Sequence, residues 1–329
     1  MKDPLKSAEL TNLRNLEELD MGYNGINSIG LSEDIANNML SGQIPHWIGN
    51  FLYLEVLLMS KNHLEGDIPI QLTSLERLEV LDISENRLFG YISSSFSLSS
   101  IKHIHMQNNV LTGSIPNVMF RSSRLMTLDL RNNMFSGGIP HQIKEHLDLR
   151  VLLLGGNHLQ ESIPNQLCQL NKLGILDISH NRLNGSIPSC FTNVSFWKVG
   201  SDDLYGEQIE YSDEISVGFL GTYYKSRLDL SVDGEMYVAI DQRVRVEFVT
   251  KNRHELYNGS NLNYMAGLDL SSNELIGEIL YEIGELQAIR GLNLSHNFLS
   301  SSIPESFCNM KLIESLDLSY NKLSGEIPP

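Results

Sequence analysis

Leucine and other hydrophobic residues recur along the chain in one fixed pattern. Residues 173–188 follow the template Leu-x-x-Leu-x-Ile-x-x-Asn-x-Leu-x-Gly-x-Ile-Pro. The alternation in its central part predicts a short β-strand with alternate side chains pointing inward. The template asparagine recurs in phase at Asn62, Asn86, Asn109, Asn133, Asn157, Asn181, Asn273, Asn297 and Asn321. Neighbouring asparagines are 23 or 24 residues apart, except for the 92 residues from Asn181 to Asn273, so the pattern predicts repeated coils with one interruption.

Nine recurrences in phase predict an α/β fold, a leucine-rich-repeat solenoid with 24-residue repeats. In such a solenoid, each coil adds one layer of leucines to a continuous core. We expect the asparagine to point inward and its amide to bond to neighbouring backbone, because an unpaired buried polar group costs about 1–3 kcal/mol. The glycine before Ile-Pro permits a tight turn. The template residues are therefore interpreted as structural.

The two residues that flank the inward leucine of each strand are predicted to face the concave surface. Aspartate is the usual second residue of this pair and is interpreted as architectural: Asp20, Asp82, Asp129, Asp177, Asp269 and Asp317. Departures from the pattern are better ligand candidates. His105 and Leu153 replace the aspartate, Arg131 replaces a serine, and His103 shares a strand with His105. We predict that these four residues, on three successive coils, form one ligand-binding patch.

The interruption adds about 68 residues that contain no repeat. We divide the chain into repeats at 1–196, an insertion at 197–262 and further repeats at 263–329. The first part of the insertion is acidic and its last part is basic, and the alternation in residues 244–250 predicts a strand. A long insertion in a rigid solenoid indicates a functional loop on a binding face, and the alternative is a disordered bulge.

The composition excludes several classes of protein. A formal net charge of −16 argues against nucleic acid as a partner, because a nucleic-acid-binding surface must be basic. No apolar run is long enough to span a bilayer, and residues 1–4 lack the apolar core of a signal peptide. Charged residues make up 19% of the chain and hydrophobic residues 41%, which excludes wholesale disorder.

The oxidation state of the three cysteines depends on the cellular compartment. Cys168 and Cys190 are predicted on the same side of neighbouring coils, so a secreted protein would join them in a disulfide, and a cytosolic one would keep two buried thiols. Cys308 is predicted to be buried and free. Four glycosylation sequons, at Asn184, Asn193, Asn258 and Asn293, would be used only on the secretory route.

No set of catalytic residues is recognisable. His103 and His105 share a strand face but lack a third ligand, so we expect no metal site. The chain has no phosphate-binding glycine loop, no nucleophile elbow and no kinase signature. We therefore expect no cofactor and no enzymatic activity.

The arrangement resembles the extracellular part of plant leucine-rich-repeat receptor-like proteins. The repeats fit the plant-specific type, with Leu-Ser-Gly-Gln-Ile-Pro at 40–45 and Leu-Ser-Gly-Glu-Ile-Pro at 323–328. The insertion resembles the island domain of that family, most closely in residues 246–270, where Lys251, Arg253 and Tyr257 match the family pattern. The blocks at 289–297 and 313–321 are similar to the C-terminal repeats of the family.

This resemblance implies a plasma-membrane receptor without its own kinase, whose extracellular side senses a peptide, protein or glycan elicitor. The island and the C-terminal repeats would bind the ligand or co-receptor and adaptor receptor kinases, which makes Lys251, Arg253 and Tyr257 further site candidates.

The chain also departs from the family. Residues 25–38 are irregular, and the signal peptide, the cysteine-paired cap and the membrane helix of full receptors are missing. We therefore expect a truncated receptor ectodomain. The alternatives are a secreted inhibitor of a cell-wall-degrading enzyme, which normally has no island, the ectodomain of a receptor kinase, and a non-functional truncated product.

Overall fold

The structure is a computed structural model that describes residues 15–20, 40–145, 148–204, 231–232, 235–236, 245–250, 253–258 and 265–328. In this part of the chain, successive coils each contribute one strand to a first sheet and one strand to a second sheet. Both sheets are parallel, because the chain advances by one coil between neighbouring strands. The predicted leucine-rich-repeat solenoid is confirmed.

The first sheet has ten strands within the described residues. Strands are numbered along the chain, and this sheet contains β1 (Glu18–Asp20), β3 (Val56–Leu58), β5 (Val80–Asp82), β7 (His103–His105), β9 (Thr127–Asp129), β11 (Val151–Leu153), β13 (Ile175–Asp177), β19 (Gly267–Asp269), β21 (Gly291–Asn293) and β23 (Ser315–Asp317). The middle residue of the strands points into the core, and Leu81, Leu128 and Leu176 are completely buried there.

The second sheet also has ten described strands: β2 (Ser41–Gly42), β4 (His63–Gly66), β6 (Arg87–Tyr91), β8 (Val110–Ser114), β10 (Met134–Gly137), β12 (His158–Ser162), β14 (Arg182–Gly185), β20 (Glu274–Glu278), β22 (Phe298–Ser301) and β24 (Lys322–Leu323). Its inward leucines, such as Leu88 and Leu159, pack against the same core. The two sheets and the turns between them therefore enclose one continuous hydrophobic interior.

Short 3-10 helices close most of the coils. They span His46–Asn50, Ile70–Ser74, Asn117–Phe120, His141–Glu145, Asn165–Gln169, Ser189–Asn193, Tyr281–Glu285 and Glu305–Asn309. All but the helix at Tyr281–Glu285 directly follow the proline of an Ile-Pro pair. Proline suits this position, because the first residues of a helix have no intrahelical acceptor for a backbone N–H.

The template asparagines join neighbouring coils. Asn157 is buried, its Oδ1 accepts the backbone N–H of Phe135 at 3.0 Å, and its Nδ2 donates to the carbonyl oxygens of Leu130 and Leu154, each at 3.0 Å. In all nine repeats, the asparagine Oδ1 accepts a backbone N–H of the preceding coil. The prediction that these amides satisfy buried backbone groups is confirmed.

The glycine before Ile-Pro adopts a left-handed conformation. Its φ lies between 76° and 90° at Gly42, Gly66, Gly90, Gly113, Gly137, Gly185, Gly277 and Gly325. Glu161 and Ser301 occupy the same template position with φ of 77° and 74°. A side chain is disfavoured in this region, so these two coils carry backbone strain that the glycine coils avoid.

The solenoid continues across the insertion. Strand β13 pairs directly with β19, with Ile175 opposite Gly267. The repeat extends one residue beyond the predicted start of the insertion, because Trp197 stands 24 positions after Leu173 and is completely buried. The Trp197 indole N–H donates to the Gly174 carbonyl at 3.0 Å, and its own carbonyl accepts the N–H of Ala288 at 3.0 Å. A single tryptophan thus contacts the coils on both sides.

Helix α1 spans Ser195–Leu204, so it begins in the last coil before the insertion and continues into the insertion, and it is interrupted at Gly200, where φ is 76°. Two antiparallel hairpins are formed by β15 (Ser231–Val232) with β16 (Glu235–Met236), and by β17 (Arg245–Thr250) with β18 (Arg253–Asn258). Strand β17 confirms the strand predicted over residues 244–250.

The irregular stretch predicted at residues 25–38 lies outside the described residues. The first sheet nevertheless continues past it, because β1 pairs in parallel with β3, with Glu18 opposite Val56. These two strands are 38 positions apart in the chain, compared with 24 for β3 and β5.

Candidate ligand-binding surface

The side chains that flank the inward residue of each strand form the outer face of the first sheet, which is the predicted concave surface. Parallel register lines them up in two rows. One row runs through Leu58, Asp82, His105, Asp129, Leu153, Asp177, Asp269, Asn293 and Asp317. The other runs through Val56, Val80, His103, Thr127, Val151, Ile175, Gly267, Gly291 and Ser315.

The four outer-face ligand candidates occupy neighbouring positions, as the repeat spacing predicted. His105 lies opposite Asp129, and Asp129 lies opposite Leu153. Three of them are buried, since His103, His105 and Leu153 are 1%, 3% and 0% exposed. Alternation along a strand determines which face a side chain lies on, but it does not determine how much of that face is open to solvent.

His103 differs from an exposed imidazole. Nδ1 of His103 lies 3.3 Å from Oγ1 of Thr127 on the next strand. Burial lowers the pKa of His103 well below its ordinary value, and His105 and Lys102 lower it further because their positive charges oppose a third one. His103 is therefore a neutral imidazole at neutral pH.

Arg131 is held by its own coil. Its Nη2 donates to Oδ2 of Asp129 at 2.7 Å and its Nε donates to Oδ1 at 3.0 Å, which makes a two-pronged ion pair. The Arg131 side chain is 14% exposed and the Asp129 side chain is completely buried. The arginine that replaces the template serine thus neutralises the aspartate beside it, and one edge of the guanidinium is occupied.

A buried apolar strip on the outer face was missed by the sequence analysis, apart from Leu153. It consists of Leu58, Val80, Val151, Leu153, Ile175 and Met265. Valine or isoleucine at the first strand position, as in Val80, Val151 and Ile175, was the available signal. The repeat template assigns that position no fixed residue type, so these side chains did not stand out.

The recurring aspartates have a structural role, which supports their interpretation as architectural. Oδ1 of Asp177 accepts the backbone N–H of Ser179 at 3.0 Å and its hydroxyl at 2.7 Å. Asp82 binds Ser84 in the same way, and Asn293 binds Ser295. Each carboxylate or amide therefore caps the turn that follows its strand. Asp129, Asp177 and Asp269 are buried. The recurring aspartates that contribute to the formal net charge of −16 therefore do not form a continuous row of exposed carboxylates.

Asp177 and Asp269 lie directly opposite each other where the insertion leaves the solenoid. They are 8% and 4% exposed. Burial and the neighbouring charge of Asp177 raise the pKa of Asp269 to about 7, although hydrogen bonds from Ser271 and Asn293 act in the opposite direction. This carboxyl group therefore titrates near neutral pH.

Several exposed apolar side chains lie on the second sheet. Before the insertion they include Phe89, Tyr91, Val110 and Met134, which are 45–75% exposed. After the insertion, Lys322 Nζ lies 4.8 Å from the ring centre of Phe298, and the rings of His296 and Tyr320 stack at 4.1 Å. The coils after the insertion thus expose several aromatic rings together with the ammonium group of Lys322.

Of the two predictions for the cysteines in a secreted protein, the disulfide is present and the burial of the free cysteine is not. Cys168 and Cys190, the predicted pair, are joined in a disulfide. Cys308 is free but exposed, so the expectation that it is buried is wrong. Cys168 and Cys308 are each the fourth residue of a 3-10 helix, and both helices have a preceding coil beside them, but in the described chain only the helix of Cys168 is followed by another 3-10 helix, Ser189–Asn193. Burial at this position therefore comes from the next coil.

The remaining candidates are the sequon asparagines and the residues of the insertion. Asn184 and Asn193 are exposed, whereas Asn293 is half-buried. Both ends of the Asn293 amide are bonded, because Oδ1 accepts from Ser295 and Nδ2 donates to Oδ2 of Asp269 at 3.2 Å. Arg253, Tyr257 and Asn258 lie in β18, where Arg253 pairs with Thr250 and Tyr257 pairs with Val246. Lys251 lies outside the described residues.

The described residues hold no group of three or more His, Cys, Asp or Glu side chains that could bind a metal ion. No helix in the described part of the chain is long and apolar enough to cross a membrane.

The repeats match the Leucine Rich Repeat family model at residues 77–98, 124–145, 148–170, 172–194, 288–310 and 312–329. Receptor-like protein 45 of Arabidopsis thaliana is 46% identical over 101 residues, which are 30% of this chain and 10% of that protein. The chain thus spans about a tenth of the length of the curated relatives it matches.

Solved structures share the fold over most of this chain. The Arabidopsis receptor kinase HAESA, in complex with the peptide hormone IDA and the co-receptor SERK1, is 27% identical with a TM-score of 0.64, over 93% of this chain and 40% of HAESA. The plant peptide hormone receptor RGFR1, in complex with RGF2, is 26% identical with a TM-score of 0.59, over 88% of this chain and 39% of that receptor.

The fold and its repeats define the chain as a leucine-rich-repeat protein. Its repeats are of the kind found in plant leucine-rich-repeat receptor-like proteins.

Proposed function

We propose that the chain is part of the ectodomain of a plant cell-surface receptor without its own kinase. Its role is to bind an extracellular peptide, protein or glycan elicitor and to recruit co-receptor and adaptor receptor kinases. Supporting observations are the similarity to receptor-like proteins and the shared fold with two peptide-hormone receptors. In the full receptor, this region lies on the extracellular side of the plasma membrane. The function is recognition rather than catalysis.

The observation that carries the proposal is the unbroken solenoid on both sides of the insertion. Gly267 N–H donates to the Gly174 carbonyl at 2.9 Å, so the strand after the insertion joins the sheet as in any other coil. The chain leaves the repeat after Trp197 and returns at Met265, immediately before β19. The returning end, at Met265, belongs to the apolar strip of the outer face, so the rigid scaffold holds this end of the insertion beside that face, where it can present a recognition loop.

We place the ligand on the outer face together with the insertion, with His103, His105, Arg131, Leu153, Lys251, Arg253 and Tyr257 as the candidate residues. The side chains of His103, His105 and Leu153 are buried, so a ligand that contacts them must first gain access to this face. Arg131 is the more accessible of the four outer-face candidates. Neighbouring strands are about 4.8 Å apart, which suits an extended ligand that crosses several coils.

We place the co-receptor contact on the coils after the insertion. Phe298, Lys322, His296 and Tyr320 are on the exterior of these coils and combine aromatic rings with positive charge. Exposed aromatic residues are enriched in protein interfaces, which is the physical reason for this choice.

The test compares the chain with a variant that lacks residues 200–255. Surface plasmon resonance measures binding to a panel of purified ectodomains of plant receptor kinases, with and without extracts that contain elicitor peptides. We expect the deletion to weaken binding by at least about tenfold, because a central interface segment is lost. The far-ultraviolet circular dichroism should remain that of intact coils.

Full binding by a deletion variant with normal circular dichroism would contradict the role of the insertion. The matched control is Tyr91→Ala, which changes an exposed aromatic residue on the second sheet before the insertion. This variant should bind like the unmodified chain. If the intact chain binds no receptor-kinase ectodomain under any condition, the proposed recruitment is wrong.

A further inference from the structure

Two carboxyl groups meet at the seam of the solenoid, where β13 and β19 pair across the insertion. Asp177 and Asp269 are opposite each other in register although 92 positions separate them in the chain. Along the same row of the outer face, Leu153 precedes Asp177 and Asn293 follows Asp269. Among the described strands, the seam is the place where two aspartates are neighbours in this row.

The hydrogen bonds of this pair come from neutral donors. Oδ1 of Asp177 accepts from the backbone and hydroxyl of Ser179, at 3.0 and 2.7 Å. Asp269 accepts the backbone N–H of Ser271 at 2.9 Å and the Asn293 amide at 3.2 Å. Such bonds stabilise each carboxylate separately, but they do not cancel the repulsion between two negative charges.

Among the residues that the structure describes, no charged group near the seam neutralises the pair. On the β11 side, Gly155 has no side chain, and a Cβ there would lie only 2.7 Å from Oδ1 of Asp177. The next carboxylate in that direction is Asp129, whose charge is already paired with Arg131. On the other side, Asn293 separates Asp269 from the exposed Asp317. Within the described residues, neither seam aspartate forms a salt bridge.

The next strand shows how a donor at this position behaves. Asn293 has the same place in its coil as Asp269, and its Nδ2 donates back to Oδ2 of Asp269 on the preceding strand. A protonated carboxyl group at Asp269 has the same ability to donate back to Asp177, because its O–H replaces the amide N–H.

We propose that a proton shared between Asp177 and Asp269 locks the two parts of the solenoid together at the insertion. When the proton is bound, the pair is a hydrogen bond between strands β13 and β19. When the proton is lost, the pair becomes two buried like charges, which weakens the seam. The strength of the joint beside the insertion therefore depends on pH.

The raised pKa of Asp269, about 7 compared with 3.8 in an unperturbed aspartate, agrees with this geometry. A group whose pKa is higher in the folded state binds its proton more tightly there than in the unfolded chain. Its stabilising contribution is fully present below about pH 3.8, and it is lost as the pH rises through about 7. The seam is thus stronger in a mildly acidic medium than in a mildly alkaline one.

The experiment measures the melting temperature of the full chain between pH 5 and pH 8.5 in three forms. The variants are Asp269→Asn, which supplies a permanent donor, and Asp317→Asn, which removes an exposed aspartate from the same row. We expect the melting temperature of the unmodified chain to fall, on the order of 5 °C, as the pH rises through 7. Asp269→Asn should lose this fall, and Asp317→Asn should retain it.

The proposal is overturned if Asp269→Asn shows the same pH dependence as the unmodified chain. A second measurement does not require the variant to fold. The titration of aspartate side-chain carboxyl carbons by ¹³C nuclear magnetic resonance in the unmodified chain should show one midpoint near neutral pH. If every aspartate titrates in the ordinary acidic range, the shared proton does not exist.

Discussion

The Asn273 side-chain amide donates to the carbonyl oxygen of Ile178 at 3.0 Å, although the two residues are 95 positions apart. Asn157 makes the same bond to Leu130, which is only 27 positions earlier. The hydrogen bonds between neighbouring coils are therefore the same whether 27 or 95 positions separate the two bonded residues. The insertion can vary in size or sequence while the scaffold beside it keeps its register.

The asparagine ladder predicts a large loss of stability when one amide is removed. Asn157→Leu leaves the buried N–H of Phe135 without its side-chain acceptor, and it removes one of the two amide donors to each of the carbonyls of Leu130 and Leu154. We expect a loss of about 3 kcal/mol in the free energy of unfolding, measured by urea denaturation. His158→Leu, at the exposed neighbouring position, is the control. Equal midpoints for both variants would show that the ladder is not needed.

The burial of Trp197 predicts a large loss of stability when this side chain, at the start of the insertion, is truncated. Trp197→Ala removes a completely buried ring that packs edge-on against Phe191, with ring centres 5.4 Å apart. The expected cost is about 3–5 kcal/mol, which chemical denaturation measures. Trp197→Phe keeps most of the ring volume but loses the indole bond to Gly174, and should cost less. If the alanine variant is as stable as the parent, Trp197 does not hold the coils together.

The left-handed backbone conformation of Glu161 predicts that its replacement by glycine stabilises the protein. Its φ of 77° is that of the glycines at the same position in other coils. Glu161→Gly relieves a strain of about 1–2 kcal/mol and adds about 0.5–1 kcal/mol of flexibility to the unfolded chain. We therefore expect a net gain of about 0.5–1 kcal/mol and a higher melting temperature by calorimetry. Gly185→Glu, the reverse change in the next coil, should lower it, and a lowered temperature for Glu161→Gly would refute the strain.

The sequons predict selective glycosylation on a secretory route. Asn184 and Asn193 are exposed, whereas Asn293 is half-buried with its amide bonded to Ser295 and Asp269. We expect glycans at the two exposed residues and little or none at Asn293, because a glycan on Nδ2 would replace one of its hydrogens and disturb the bond to Asp269 at a half-buried position. Peptide mapping by mass spectrometry after expression in plant cells measures the occupancy. Full occupancy of Asn293 in correctly folded protein would contradict this prediction.

The candidate site was less predictable than the fold, and Cys308, His103 and Arg131 show why. Each was placed correctly within its coil by the repeat. The solvent exposure of Cys308 depends on whether a further 3-10 helix packs on the far side of its own helix, and the exposure of His103 depends on everything that lies over the outer face. The ion pair of Arg131 with Asp129 was not predicted, because it depends on a side-chain conformation that the repeat does not specify.

The amino-acid sequence alone determined the repeat, the direction of every template side chain, the position of the insertion and the strand that became β17. These features follow from local spacing, because a strand alternates every two residues and a coil closes every 23 or 24. Only the tertiary structure decided that Asp177 and Asp269 are neighbours, that Trp197 belongs to the core, and that His103, His105 and Leu153 are buried. Those facts depend on contacts between residues far apart in the chain, and burial is a property of all the atoms around a side chain.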